Sequence, residues 1–180
     1  MQKDFINGFK TGEVSIYNQE TNTRAYRIES HMYLFKPERI DLIAYRPMQV
    51  VGKLTTKLER RWHEVTFEVL DSQTQQWKVG KFIQNYIGWY RDSIDIDWGG
   101  FPLKCEIAAN RLAGRFLTDN NTILLAEFKR GSQHTFNASN YKVEIYSDDV
   151  PDAIYLLYVA NFDEIITRRD RNRYPINGQW

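Results

Sequence analysis

The chain has 180 residues, a formal charge of +1 and a sequence pI near 7.8. That length suits one domain able to bury about 70% of its unfolded surface, and a 42% hydrophobic, 14% aromatic composition excludes intrinsic disorder. Near-neutrality leaves no footprint for general nucleic-acid binding, and a single cysteine, Cys105, excludes a disulfide framework or a cysteine-rich zinc site.

Met1–Val14 has no basic stretch followed by an apolar one, so no secretory leader is expected, and a cytoplasmic location is the expectation. From about residue 14 to about residue 146 the apolar pattern has period two. In His63–Val69, Val65, Phe67 and Val69 share one face while Glu64, Thr66 and Glu68 share the other. Leu103–Ile107 and Tyr141–Ile145 repeat the scheme. Such alternation marks antiparallel strands with one wet and one buried face. Turn signals at Asn18–Asn22, Pro37-Glu38, Arg46-Pro47, Asp71–Gln75, Gly99-Gly100, Asp119–Asn121 and Gly131-Ser132 divide the region into about eleven or twelve short strands.

The period then changes. Ser147-Asp148-Asp149-Val150-Pro151 opens a helix, with acidic residues near the positive end of the dipole and proline in the first turn. Ala153–Ala160 is apolar at every position, so at about 100° per residue it is apolar in every direction and must be buried on all sides. From Asn161 the pattern becomes amphipathic, with Phe162, Ile165 and Ile166 on one face and Asp163 and Glu164 elsewhere. The pattern places the helix at about residues 151–168, with a tail over 169–180. The longest uncharged apolar stretch, Ala153–Phe162, falls short of the about 20 residues a bilayer span needs, so no transmembrane segment is expected.

An all-β domain can surround a helix by closing its sheet. At about twelve strands a barrel is hollow unless something fills it, and a helix of about 18 residues, about 27 Å long, fits such a bore. The expected fold is therefore all-β with one buried helix, a closed antiparallel barrel of about twelve strands in a single domain. A two-sheet sandwich clamping the helix is the alternative.

Few residues point to a reaction. Cys105 shares a face with Leu103 and Ile107 and reads as a small core hydrophobe. His31, His63 and His134 have no His or Cys at metal-ligand spacing, and Asp92, Asp95 and Asp97 lack the EF-hand pattern, with Ser93, Asp95 and Asp97 suiting the outer face of a strand. No nucleophile elbow, P-loop or dinucleotide fingerprint is present, so no catalytic residue, metal or cofactor is assigned. Tyr86-Ile87-Gly88-Trp89-Tyr90 concentrates aromatics and reads as a cap on the core or a platform for a partner. Two basic clusters remain. Lys53, Lys57, Arg60 and Arg61, followed by Trp62, lie in and after one strand, with Lys53 and Lys57 on the same face. Arg168, Arg169, Arg171 and Arg173 follow the helix, where cations complement its dipole. The first cluster is the sharper candidate for an anionic ligand. Charge is also divided along the chain, +4 over residues 1–91 and −3 over residues 92–180.

The run from Tyr141–Ile145 through Asp148-Asp149-Val150-Pro151 to Ala153–Ala160 resembles the end of the tubby C-terminal-like superfamily, which includes LURP-one-related proteins and phospholipid scramblases. Leu112–Phe116 and Ala126–Lys129 resemble its paired strands. The resemblance implies a twelve-stranded barrel around a hydrophobic helix, and phosphoinositide recognition by basic side chains on the wall. Scrambling is not implied, since a cysteine-rich stretch and a proline-rich arm are missing and Asn161, Asp163 and Glu164 interrupt the helix. The expected function is a non-enzymatic module recognising an anionic phospholipid headgroup, or a protein at a membrane surface, through its outer wall. A soluble scaffold domain without lipid affinity is one alternative. A small-molecule-binding or catalytic barrel is the other, and it requires the helix to lie outside an open bore.

Overall fold

Period-two alternation becomes a run of strands, each hydrogen-bonded to the next in the chain. A computed structural model describes residues 11–31, 39–56, 64–87, 91–108, 112–120, 122–131 and 141–173. The strands are β1 (Thr11–Asn18), β2 (Thr23–His31), β3 (Arg39–Tyr45), β4 (Met48–Thr56), β5 (Glu64–Leu70), β6 (Trp77–Ile87), β7 (Arg91–Trp98), β8 (Phe101–Ile107), β9 (Ala113–Thr118), β10 (Leu124–Arg130) and β11 (Tyr141–Ile145). They form one sheet whose order follows the chain from β1 to β11, every neighbouring pair antiparallel. Local turn chemistry drives this order. Asn18 Oδ1 accepts hydrogen bonds from the Glu20 and Thr21 amides, and Gly99 and Gly100 take φ of 58° and 86° between β7 and β8.

The inner face carries the alternating apolar residues, with Ile28, Leu42, Leu54, Phe67, Phe82, Ile96, Leu103, Cys105, Phe116 and Phe128 all nearly inaccessible. Large rings sit opposite glycines. Phe67 pairs with Gly80 and Phe128 with Gly114, and a Cβ on either glycine would lie 2.3–2.4 Å from the facing ring. The glycines thus make room for aromatics that reach the molecular axis.

That axis is α1 (Asp152–Arg173), 22 residues long. Its first boundary lies one residue from the expected one and its end five residues later. Every side chain from Ala153 to Val159 is buried, as are Asn161, Phe162 and Asp163. Strands all along the sheet meet it. A Cβ at Gly52 of β4 would touch Leu157 at 2.9 Å. Tyr158 packs on Phe82 of β6, Phe116 of β9 and Phe128 of β10, and Tyr155 packs edge-on against Phe116. At the sheet's margins the Tyr26 hydroxyl of β2 donates to Asp152 (3.3 Å), and the Tyr141 hydroxyl of β11 donates to Asp163 (2.9 Å).

The closed barrel of about twelve strands is not what forms. Among the described residues the sheet has eleven strands and is open, with β1 bonded only to β2 and β11 only to β10. The physical reason lies in what burial requires. An apolar helix needs cover, which is non-directional, whereas closing a sheet needs two edges in register. The curled sheet supplies the cover without the register, and β11 has only five residues to offer a ladder. The two-sheet sandwich is likewise replaced by a single sheet.

Candidate functional site

Antiparallel alternation gives the fold two ends. The turns after β1, β3, β5, β7 and β9 lie at one end with the start of α1. Thr56, His31, Ile107 and Tyr141 lie at the other, toward which α1 runs. With α1 inside the sheet, the arrangement that leaves an open bore is not the one adopted. Side chains available to a ligand are those of the outer wall and the two rims.

On the wall of β4–β6, register sets Lys53 beside Glu68 and Glu68 beside Val79, and sets Thr55 beside Thr66 and Thr66 beside Lys81. Along β6, Gly80, Phe82 and Gln84 turn inward, while Trp77, Val79, Lys81 and Ile83 face out. Val79 is 56% exposed and Ile83 40%. The Lys53 ammonium lies 4.1 Å from the Trp77 ring centroid and 3.7 Å from Glu68 Oε2. A cation over an indole face keeps its charge while its stem packs against the ring, so Lys53 is held along the wall and does not extend straight from it. The patch is apolar and of mixed charge, with Lys53 beside Glu68 and Lys81 beside Asp97 of β7.

The other residues of the first basic cluster, Lys57, Arg60 and Arg61, lie outside the described residues, as does Trp62. Arg168, Arg169, Arg171 and Arg173 occupy the last turns of α1. These positions follow Asp163, which meets Tyr141 at the start of β11, so they lie about 8–15 Å farther along the axis. They therefore belong to the end of the fold at which β4 finishes, whereas along the chain the two clusters are more than a hundred residues apart.

Elsewhere the geometry is structural. Cys105 is fully buried beside the Tyr158 hydroxyl, and burial pushes its thiol pKa far up, which makes it a poor nucleophile. Asp95 and Asp97 face outward on β7, and Asp97 Oδ1 accepts the Gly100 amide at 3.1 Å. Asp92 is on the same strand. His31 Nε2 lies 3.4 Å from Asp41 Oδ2, and Asp41 Oδ1 accepts Arg39 Nε at 2.8 Å, a polar knot on the outside of β2 and β3. Tyr86 and Ile87 end β6, whereas His63, His134, Gly88, Trp89 and Tyr90 lie outside the described residues. Among the described residues no three His, Cys, Asp or Glu side chains are placed to hold a metal ion, and no helix is long and apolar enough to cross a membrane.

No family model, curated protein or solved structure matches this chain. The site therefore stands on its own geometry. Sequence reasoning missed Trp77, Val79 and Ile83. The signal was there: Trp77–Ile83 carries large apolar residues on both parities, although only one face of a sheet wall enters the core.

Proposed function

We propose that the chain is a non-enzymatic binding module of tubby-like type, working in the cytoplasm, that recognises an anionic lipid headgroup through the outer wall of β4–β6. The observation that carries this reading is the occupied interior. With α1 filling the space inside the sheet, recognition falls to the outside, and there the β4–β6 wall sets Lys53 and Lys81 among exposed Trp77, Val79 and Ile83. An anionic membrane surface takes this combination, with the indole and aliphatic tips at the headgroup boundary and the ammonium groups on phosphate oxygens. The arginines of the final turns of α1 lie toward the β4 end of the fold and add charge of the same sign. Nothing in this reading requires a catalytic step, a metal or a cofactor.

Flotation with phosphatidylcholine vesicles, with and without phosphatidylserine, tests it. Binding should need phosphatidylserine and fade as salt rises. At about 1 kcal/mol per lysine near such a surface, Lys53→Gln should lower partitioning about fivefold. No flotation at low salt would overturn the assignment and favour a scaffold domain without lipid affinity.

A further inference from the structure

The opposite end of the fold has a different character. Nine large apolar side chains are exposed among the described residues, and six of them stand on the rim where α1 begins. They are Met48 after the β3–β4 turn, Trp77 after the β5–β6 turn, Phe101 after Gly99-Gly100, Ile123 and Leu124 at the β9–β10 turn, and Tyr146 after β11. Met48 is 65% exposed and Ile123 57%. Each of these four turns, and the connection into α1, presents an apolar tip. Because turns on one rim recur at every second strand, and neighbouring strands are about 4.8 Å apart, successive tips stand about 10 Å from each other.

The charges between the tips are acidic. Glu20, Asp71, Asp97, Asp119, Asp148 and Asp149 lie along this rim, against Arg24, Arg46 and Lys78. Of the three cations, Lys78 is bonded to Asp71 at 2.6 Å, and Arg24 is held by the Tyr45 and Tyr17 hydroxyls over both rings. Scattered exposed hydrophobics are ordinary, and acidic residues before α1 suit its dipole. Neither fact explains why the tips recur hairpin after hairpin on one rim, nor the carboxylates of Glu20 and Asp119, which stand on the β1–β2 and β9–β10 turns and not in the segment leading into α1.

We propose that this rim is a docking surface for a protein segment that folds as a basic amphipathic helix. Charge complementarity selects lysine or arginine for the partner's polar flank. Spacing selects a helix, because residues i and i+7 lie about 10.5 Å apart on one face, close to the interval between tips. A partner helix lying across the curved rim then sets two apolar side chains, i and i+7, against two neighbouring tips, with cations flanking them onto the carboxylates. A bilayer fits less well, since inserting the tips would press the rim's carboxylates against the headgroups and anionic lipid would repel them.

The test uses the full chain and two synthetic 18-residue peptides with the same leucine pattern at i, i+3, i+4 and i+7, one with lysine at the remaining positions and one with glutamate. Fluorescence anisotropy of the labelled peptides reads binding. The lysine peptide should bind, weaken as salt rises, and exceed the glutamate peptide by at least about tenfold. Asp119→Asn together with Asp148→Asn should weaken it about threefold to tenfold, Phe101→Ser with Ile123→Ser should weaken it further, and Lys129→Gln, exposed near the far end of β10, should leave it unchanged. Equal binding of the two peptides, no binding at low salt, or indifference to the rim substitutions overturns the proposal. So does insertion of the rim into pure phosphatidylcholine vesicles that Phe101→Ser and Ile123→Ser abolish, which would make it a membrane-contacting surface instead.

Discussion

Replacing Tyr141 by phenylalanine isolates one atom's contribution to holding the edge of the sheet on its helix. Tyr141 is 1% exposed and Asp163 7%, and the hydroxyl-to-carboxylate distance is 2.9 Å. Burial, reinforced by the Asp163 charge and hydrogen bond, drives the Tyr141 hydroxyl pKa far above its ordinary value, so it stays a proton donor throughout the physiological range. The phenylalanine ring fills nearly the same volume, so no cavity forms and the loss is the hydrogen bond. A hydrogen bond to a charged group contributes about 1.5–3 kcal/mol net, and a central loss of about 2 kcal/mol corresponds to about 4–8 °C in Tm for a chain of this size. Urea unfolding should show a lower midpoint with an unchanged slope. Asp163→Asn retains an acceptor and should cost about half as much, and the double variant should cost less than the sum of the two singles. A Tyr141→Phe loss below about 0.5 kcal/mol, or additive costs in the double variant, would refute the reasoning that this pair fastens β11 to α1.

Glycine substitutions should separate steric from conformational cost: Gly80→Ala, whose Cβ would lie 2.3 Å from the Phe67 ring and 2.5 Å from the Asp97 carbonyl oxygen, should lose about 3 kcal/mol or more in urea unfolding, whereas Gly100→Ala, with open space around its Cβ but φ of 86°, should lose about 1 kcal/mol. Alkaline pH should act on the other margin of the sheet. Burial, followed by the charge and hydrogen bond of Asp152, pushes Tyr26 up to about 12, above its unfolded value near 10. The folded state therefore holds this proton more tightly, and its contribution to stability is full below pH 10 and lost as pH rises through about 12. Wild type should accordingly lose about 1–2 kcal/mol more than Tyr26→Phe between pH 9 and pH 12, a difference allowing for the half-buried setting of the ring. Equal losses in the two proteins would mean that Tyr26 does not meet Asp152 in solution.

The strands, their alternation and the central helix were legible because each rests on local signals. Val65, Phe67 and Val69 announce an inward face by parity, Gly99-Gly100 announces a turn, and eight consecutive apolar residues from Ala153 announce burial on all sides. Whether β1 and β11 join was not legible, because pairing between chain ends depends on curvature and register, which no local pattern records. The candidate site was legible only in part. Lys53 was visible as a cation on an outward position, but its seat over Trp77 comes from register across two strand boundaries, and Trp77 is 24 residues away in the chain. The rim of apolar tips was harder still to see. Met48, Phe101 and Ile123 lie more than twenty residues from one another in sequence, and only the strict up-and-down order of the sheet gathers them at one end.

That up-and-down order has a consequence for synthesis. Each strand bonds only to its chain neighbours, so hairpins can form one after another as the polypeptide emerges. The side chains they turn inward, however, wait for a helix that follows all eleven strands. Until Asp152–Asp163 arrives, the nascent sheet is a trough lined with Phe67, Phe82, Phe116 and Phe128, open to chaperones and to aggregation. Without the helix, the apolar side chains of the sheet's inner face have no cover, so the last element of the fold is the one on which the burial of all the others depends.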